Sequence, residues 1–187
     1  NPVWTKRLIL KLSATVYDPL GLISPYTVKA RSILQELWKC DLTWDQPIPE
    51  EFAKRWQDWL NELFVLAENI SIPRWLKCKD DRRISIHVFT DASSRVYCCA
   101  VYLRVTSGVT SRGGKSIDSE DDNVIDVPLV TAKSRVAPTK TESISRLELA
   151  GCVLGVRLGN AVADAFRIKP EEVNYWTDST NCLFWIT

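Results

Sequence analysis

The hydrophobic period of the chain changes once, at Ile84, and this change most limits what the chain can fold into. Before Ile84, apolar residues recur at intervals of three and four, which predicts helices. From Ile84 to Asp91, apolar and polar residues alternate, which predicts a strand. We therefore expect a mostly helical segment over residues 1–83 and an α/β (α+β) domain over residues 84–187.

Two aromatic-rich helices are predicted in the helical segment. Ser24 followed by Pro25 has the pattern of an N-cap and a first-turn proline. A second helix is expected after the proline-bearing loop that ends at Pro49. We expect the apolar stripes of both helices to form a packing platform, and these stripes contain Tyr26, Ala30, Ile33, Leu34, Leu37 and Trp38, then Phe52, Trp56, Trp59, Leu60, Leu63 and Phe64.

The second part of the chain predicts the order β-β-β-α-β-α, with no internal repeat. Pro128 indicates that the third strand is an edge strand or contains a bulge. Glycines four apart at Gly151, Gly155 and Gly159 give the long helix a smooth face, which favours close packing on a sheet. The predicted strands cover residues 84–91, 96–105, 124–136 and 173–177, the helices cover 146–166 and the stretch from 180, and 106–123 is a loop.

Composition excludes several classes of protein. The 24 basic and 23 acidic residues lack the excess positive charge of a domain that binds nucleic acid by charge alone. No apolar run reaches the roughly 18 residues of a membrane span, so no membrane partner is expected. Six cysteines without a C-x-x-C pair argue against zinc and indicate reduced, mostly buried thiols of an intracellular protein. The absence of methionine indicates a piece of a longer polypeptide.

Three acidic residues stand out by their positions. Asp91 ends the first predicted strand, Asp178 ends the fourth, and Glu148 lies in the first turn of the long helix. If the two strands are neighbours, the aspartates lie side by side, and the crossing helix can add Glu148. Clustered carboxylates repel one another unless a cation neutralises them. Mg²⁺ prefers oxygen ligands, and a pair of such ions supports phosphodiester hydrolysis.

Each acidic residue also has a purely structural interpretation. Ser145-x-x-Glu148 matches a capping box, in which the glutamate only caps the start of the helix. Asp178, followed by Ser179 and Thr180, matches a helix N-cap, and Asp91 could belong to an ordinary turn. The spacing alone leaves both interpretations open.

Longer motifs in the chain resemble those of a known family. In order, the chain contains IHVFTDAS (86–93), AVYLR (100–104), AKSRVAP (132–138), ISRLELA (144–150) and YWTDST (175–180). These resemble the RNase H-like region of Pol polyproteins from BEL/Pao-type LTR retrotransposons. Upstream, YDPLGLISP (17–25) and LQELW (34–38) look like the segment that joins reverse transcriptase to that region. The resemblance covers nearly the whole chain except residues 106–123.

The resemblance implies an RNase H fold, which is a mixed sheet with flanking helices, and hydrolysis of the RNA strand of RNA–DNA hybrids. It implies two Mg²⁺ ions, with Mn²⁺ as a substitute, held by Asp91, Glu148 and Asp178. The implied partners are the hybrid and the reverse transcriptase portion of the same polyprotein, in a cytoplasmic retroelement particle or in the nucleus. Ser179, Thr180 and Asn181 would contact phosphates, and Lys133, Arg135, Lys140 and Arg146 would supply local positive charge.

One departure from the family and two alternatives complete the expectations. RNase H domains typically carry a fourth carboxylate after a fifth strand, whereas this chain stops at Thr187, so we expect a C-terminally incomplete domain with an exposed sheet edge.

The near-zero net charge and this truncation favour, as an alternative, an inactive module that only binds or positions nucleic acid. An aspartic peptidase is rejected because Asp-Thr/Ser-Gly is required, and here Thr180 follows Asp178-Ser179.

Overall fold

The computed structural model describes residues 2–78, 82–107 and 125–186. Its elements follow the predicted order, except that an unpredicted helix at Lys6–Ser13 comes first, the third strand is divided in two, and a one-turn 3-10 helix lies at Pro170–Glu172. The predicted loop 106–123 lies outside the described residues except for its first two positions. In chain order the elements are α1 (Lys6–Ser13), α2 (Ser24–Trp38), α3 (Glu50–Asn69), β1 (Arg82–Ala92), β2 (Val96–Ser107), β3 (Ile125–Asp126), β4 (Leu129–Val136), α4 (Ile144–Phe166), β5 (Val173–Trp176) and α5 (Thr180–Ile186).

The three helices of the N-terminal segment pack around buried aromatic rings. Trp56 is fully buried and stacks on Trp59, with 4.7 Å between ring centroids. Tyr26 stacks on the other side of Trp59 at 4.9 Å and donates a hydrogen bond to its carbonyl. The predicted packing of the two aromatic stripes is therefore confirmed except at Trp38 and Phe64, which are 58% and 67% exposed.

The start of α2 differs from the prediction. Ser24 is the first helical residue, and its side chain does not cap the helix. The Asp18 carboxylate lies ahead of the helix and accepts hydrogen bonds from the amides of Leu22 and Ile23, at 2.8 and 3.0 Å. The prediction of Ser24 as the N-cap was wrong: Ile23 is the N-cap, and the amides of Tyr26 and Thr27, which a Ser24 cap would bond, donate to the Ile23 carbonyl at 2.9 and 3.0 Å.

The sheet is mixed, with strand order β3-β2-β1-β5, and β4 pairs with β2 on the same side as β3. β1 is antiparallel to β2 and parallel to β5. The third predicted strand is divided into β3 and β4 around Val127 and Pro128, and the register shifts between Val101 and Tyr102. The irregularity expected at Pro128 is confirmed, since proline has no amide proton for a ladder.

Helix α4 crosses one face of the sheet on its glycine stripe. A Cβ at Gly155 would lie 2.5 Å from Thr90 Cγ2, and one at Gly159 would lie 2.9 Å from Val88 Cγ2. This confirms the predicted packing face. By length and composition alone α4 could also cross a membrane, but a helix packed in a protein core passes the same test, so this is weak evidence.

The N-terminal segment covers the outer edge of β4. The Ala132 amide donates to the Leu20 carbonyl at 2.8 Å, and Thr131 Oγ1 donates to the same oxygen at 2.7 Å. From α2, Arg31 donates to the Ser134 carbonyl at 3.2 Å and Gln35 to that of Ala137. We call this set of contacts the β4 seam.

All six cysteines are free thiols, as predicted. Cys99, Cys152 and Cys182 are buried, and Cys40, Cys78 and Cys98 are partly buried.

Candidate active site

Asp91 and Asp178 occupy matching positions on neighbouring parallel strands. The last paired residues of β1 and β5 are Phe89 and Trp176, and each aspartate lies two residues beyond that pair. The first and fourth predicted strands are therefore neighbours, which is the condition for the two aspartates to lie side by side. Both aspartates are exposed, so the carboxyl ends of these strands present two acidic side chains to solvent at one end of the sheet.

The oxygen atoms of these two carboxylates are largely uncommitted. Asp91 Oδ1 accepts a hydrogen bond from the adjacent Ala92 amide at 2.7 Å. Asp178 makes no side-chain hydrogen bond or ion pair with the part of the chain that the structure describes. Both side chains therefore keep lone pairs for a ligand, and their like charges favour one that is positive.

Glu148 approaches this end of the sheet from α4. A Cβ at Gly151 would lie 3.3 Å from the Asp91 carbonyl oxygen, which shows that the helix crosses the end of β1 there. Glu148 lies one turn earlier and is half-buried. Its Oε2 atom accepts a hydrogen bond from Ser179 Oγ, the residue after Asp178. Glu148 is thus tied to the segment that follows β5.

The capping interpretations of these acids do not match the structure. Helix α4 has Ser143 as its N-cap, whose side chain accepts from the Arg146 amide at 3.4 Å, so Ser145 and Glu148 do not form a capping box. Ser179 rather than Asp178 caps α5, because its Oγ accepts from the Cys182 amide at 3.2 Å.

The three predicted phosphate contacts have different surroundings. Ser179 is only 6% exposed, and its hydroxyl is already bonded to Glu148. Asn181 is exposed, and its Nδ2 atom donates to Ser145 Oγ at 2.9 Å. Thr180 is exposed beside them. The Ser179–Glu148 contact could not be predicted from a local pattern, because the two residues are 31 positions apart.

The predicted basic residues are exposed but dispersed. Lys133 and Arg135 lie on β4, which β2 separates from β1. Lys140 lies in the connection between β4 and α4. Arg146 is two residues from Glu148 on α4, and its guanidinium pairs with Glu142 at 3.3 Å. Of these four basic residues, only Arg146 lies near a candidate site residue, because it is on the same helix as Glu148.

Within the described ranges, no group of three or more His, Cys, Asp and Glu residues is close enough to hold a metal ion. The structure brings Asp91 and Asp178 to one end of the sheet and ties Glu148 to the following segment. It does not assemble the three carboxylates into a closed ligand set.

An aromatic row supports the strand ends from the face opposite α4. The Trp176 ring stacks on His87 and Phe89, at centroid distances of 5.9 and 6.0 Å. Trp176 Nε1 also donates to His87 Nδ1 at 3.1 Å. Burial, together with the charge of Arg104, lowers the pKa of His87, which favours this accepting, neutral ring. On the other face, Thr90 Oγ1 donates to the Trp176 carbonyl at 3.2 Å, so β1 and β5 are joined just before both aspartates.

Comparison with known proteins gives one match. The family model described as "Pao retrotransposon-like RNaseH-like domain" matches residues 5–179, which include α1, the β4 seam and all three acidic residues. No curated protein and no solved structure matches the chain.

Proposed function

Because the chain belongs to the Pao retrotransposon-like RNaseH-like domain family, we propose that it hydrolyses the RNA strand of RNA–DNA hybrids within a reverse-transcribing Pol polyprotein. The observation that carries this proposal is the matched placement of Asp91 and Asp178 beyond the Phe89–Trp176 pair, with Glu148 tied to Ser179. The proposed partners are the hybrid and the reverse transcriptase portion of the same polyprotein.

The donor chemistry of the site fits hard divalent cations. Asp91, Glu148 and Asp178 are the proposed ligands of two Mg²⁺ ions, or of Mn²⁺ in their place, and each keeps at least one oxygen without a hydrogen bond to the described residues. Bound Mg²⁺ would lower the pKa of a water molecule and stabilise the leaving oxygen of the phosphodiester. A cation would also offset the mutual repulsion of the three carboxylates.

The chain itself supplies position and charge. The backbone ladder and the stacked Trp176 hold Asp91 and Asp178 on adjacent strand ends, so less ordering is needed when substrate binds. The exposed Thr180, Asn181 and Arg146 are the proposed phosphate contacts nearest the acids. We assign the more distant Lys133, Arg135 and Lys140 to weaker contacts along the hybrid. Cleavage would leave a 3′-hydroxyl and a 5′-phosphate.

The test is cleavage of a labelled RNA–DNA hybrid in Mg²⁺ or Mn²⁺. Asp91→Asn, Glu148→Gln and Asp178→Asn should each lower the rate by a factor on the order of 10² or more, because each removes a negative charge from the site. Asp164→Asn is the matched control, since Asp164 is an exposed carboxylate elsewhere on α4, and it should cleave at the wild-type rate. An Asp91→Asn protein that still cleaves normally would falsify the assignment.

A second candidate function is a binding module that positions the hybrid without cutting it. The observation that favours it is the lack of a closed three-ligand cluster among the described residues. It predicts that the wild-type chain binds a fluorescent hybrid equally well with and without Mg²⁺ and leaves it intact. Metal-dependent cutting that Glu148→Gln abolishes would exclude this candidate.

A further inference from the structure

Ser179 joins three parts of the candidate site through a single side chain. It is 6% exposed and lies between the end of β5 and the start of α5. Its Oγ atom donates to Glu148 Oε2 on α4 and accepts from the Cys182 amide at 3.2 Å. Its own amide donates to Thr177 Oγ1 at 3.2 Å.

The chemistry of the groups determines which atom donates and which accepts in each of these hydrogen bonds. A serine hydroxyl has one proton, and an ionised carboxylate can only accept. Because the Cys182 amide donates to Ser179 Oγ, the hydroxyl proton remains for Glu148. Glu148 Oε1 has no hydrogen bond among the described residues and stays open to a ligand.

Two further contacts hold α5 against the first turn of α4. Asn181 Nδ2 donates to Ser145 Oγ at 2.9 Å, and Cys182 Sγ lies 4.0 Å from the Ser145 carbonyl oxygen. Ser145 is three residues before Glu148 on the same helix. The backbone positions of both Glu148 and Ser179 are therefore set, and the hydroxyl selects one orientation of the glutamate carboxylate.

We propose that Ser179 is a positioning residue that orients Glu148 for a divalent cation through the bond to Oε2. This proposal rests on the proposed function, because it takes Glu148 to be a metal ligand. A group that hydrogen-bonds a metal-ligating carboxylate fixes its orientation, and loss of such a group typically weakens metal binding about 10- to 100-fold. Ser179 would thus act through Glu148 and not by touching phosphate.

The experiment measures Mn²⁺ binding by calorimetry and, separately, the Mg²⁺ concentration that gives half-maximal cleavage. Ser179→Ala should weaken Mn²⁺ binding about tenfold or more and raise the half-maximal Mg²⁺ concentration in parallel. Ser179→Thr keeps a hydroxyl at the same atom and should restore much of the affinity. Ser134→Ala is the matched control, because Ser134 is 4% exposed and bonds the Ser24 carbonyl at the β4 seam, away from Glu148.

The outcomes separate this role from a structural one and from the proposed function itself. Wild-type affinity in Ser179→Ala, or an equal loss in Ser134→Ala at equal thermal stability, overturns the positioning role. A wild-type chain that binds no Mn²⁺ overturns the metal-dependent function and this proposal with it. If Glu148→Gln loses binding while Ser179→Ala does not, only the positioning role is overturned.

Discussion

The two edges of the sheet differ in what lies against them. At the β4 edge, backbone and side-chain groups of the N-terminal segment satisfy the outer hydrogen-bonding groups of the strand, through Leu20, Arg31 and Gln35. At the other edge, β5 pairs only with β1 in the described part of the chain, and its Tyr175 and Trp176 are about half exposed.

This difference separates a structural edge from a functional one. Unpaired strand edges invite pairing with other chains, and covering an edge with a helix or loop removes that hazard. The contacts of the β4 seam cover the outer edge of β4, so the N-terminal segment packs directly against the sheet. The β5 edge instead carries Asp178, a proposed metal ligand, which would need access to a cation. Mutations at the two edges should therefore affect different properties, stability at β4 and activity at β5.

The largest effect on stability is expected at Gly21, in the β4 seam. Its φ is +69°, and a Cβ there would lie 1.9 Å from the Ala132 carbonyl oxygen, a backbone atom that cannot rotate away. Gly21→Ala should lower the free energy of unfolding by about 3 kcal/mol or more, from strain and from displacement of β4. Denaturant unfolding measures this change.

The control for Gly21 is Pro19→Ala in the same turn, where the residue is exposed and the change should stay below about 1 kcal/mol. If Gly21→Ala is as stable as the control, the seam does not hold the segment to the sheet, and the contrast between the edges fails.

Much of this fold could be predicted from the sequence because its signals are local. The switch of period at Ile84 predicted the element order, and the glycine spacing predicted the face of α4 that meets the sheet. Asp91 and Asp178 could be paired because neighbouring parallel strands end at the same edge of a sheet. Pro128 marked the interruption between β3 and β4 because it lacks an amide proton.

The parts that could not be predicted depend on contacts distant in sequence. The β4 seam joins Leu20 to Ala132, and the link between Glu148 and Ser179 requires α5 to pack on α4. The cap of α2 was assigned to Ser24 because the Ser-Pro pattern is common, but the helix begins one residue earlier and the Ile23 carbonyl accepts from the amides of Tyr26 and Thr27. For the same reason, the distance between the carboxylates depends on tertiary packing and not on their spacing along the chain.

A smaller effect is expected at Gly155, where α4 meets the sheet near the candidate site. A Cβ there would lie 2.5 Å from Thr90 Cγ2 and 3.2 Å from Val88 Cγ1, both side-chain atoms. Alanine gains about 1 kcal/mol of helix propensity but overpacks the interface by roughly 1–3 kcal/mol, so Gly155→Ala should cost a net 0 to about 2 kcal/mol. Because α4 also carries Glu148, hybrid cleavage should fall as well.

Val156→Ala is the companion for Gly155, since Val156 faces solvent on the same helix and should change stability by no more than about 0.5 kcal/mol. A Gly155→Ala protein with normal stability and normal cleavage would show that α4 can shift on the sheet without moving Glu148. In that case, close packing of the glycine face of α4 on the sheet would not be required to position Glu148.

The smallest effect is expected at the ion pair between Arg55 on α3 and Glu36 on α2, with 2.6 Å between Arg55 Nη1 and Glu36 Oε2. The hydrogen bond from Arg55 lowers the pKa of Glu36 below its usual 4.5. A carboxyl with a lowered pKa in the folded state adds stability above its unfolded pKa, and this is lost as the pH falls through the folded value. Since both side chains are about one third exposed, solvent screening limits the contribution to about 0.5–1 kcal/mol.

Glu36→Gln should therefore destabilise the protein most at pH 7, and its difference from the wild type should shrink as the pH falls below about 4.5. Urea unfolding at a series of pH values measures that difference, with Glu68→Gln, an exposed α3 carboxylate, as the variant that should show none. Hybrid cleavage at pH 7 should be unchanged in both, because α2 and α3 lie on the β4 side of the sheet. A constant difference at all pH values would mean that Glu36 contributes through packing and not through its charge.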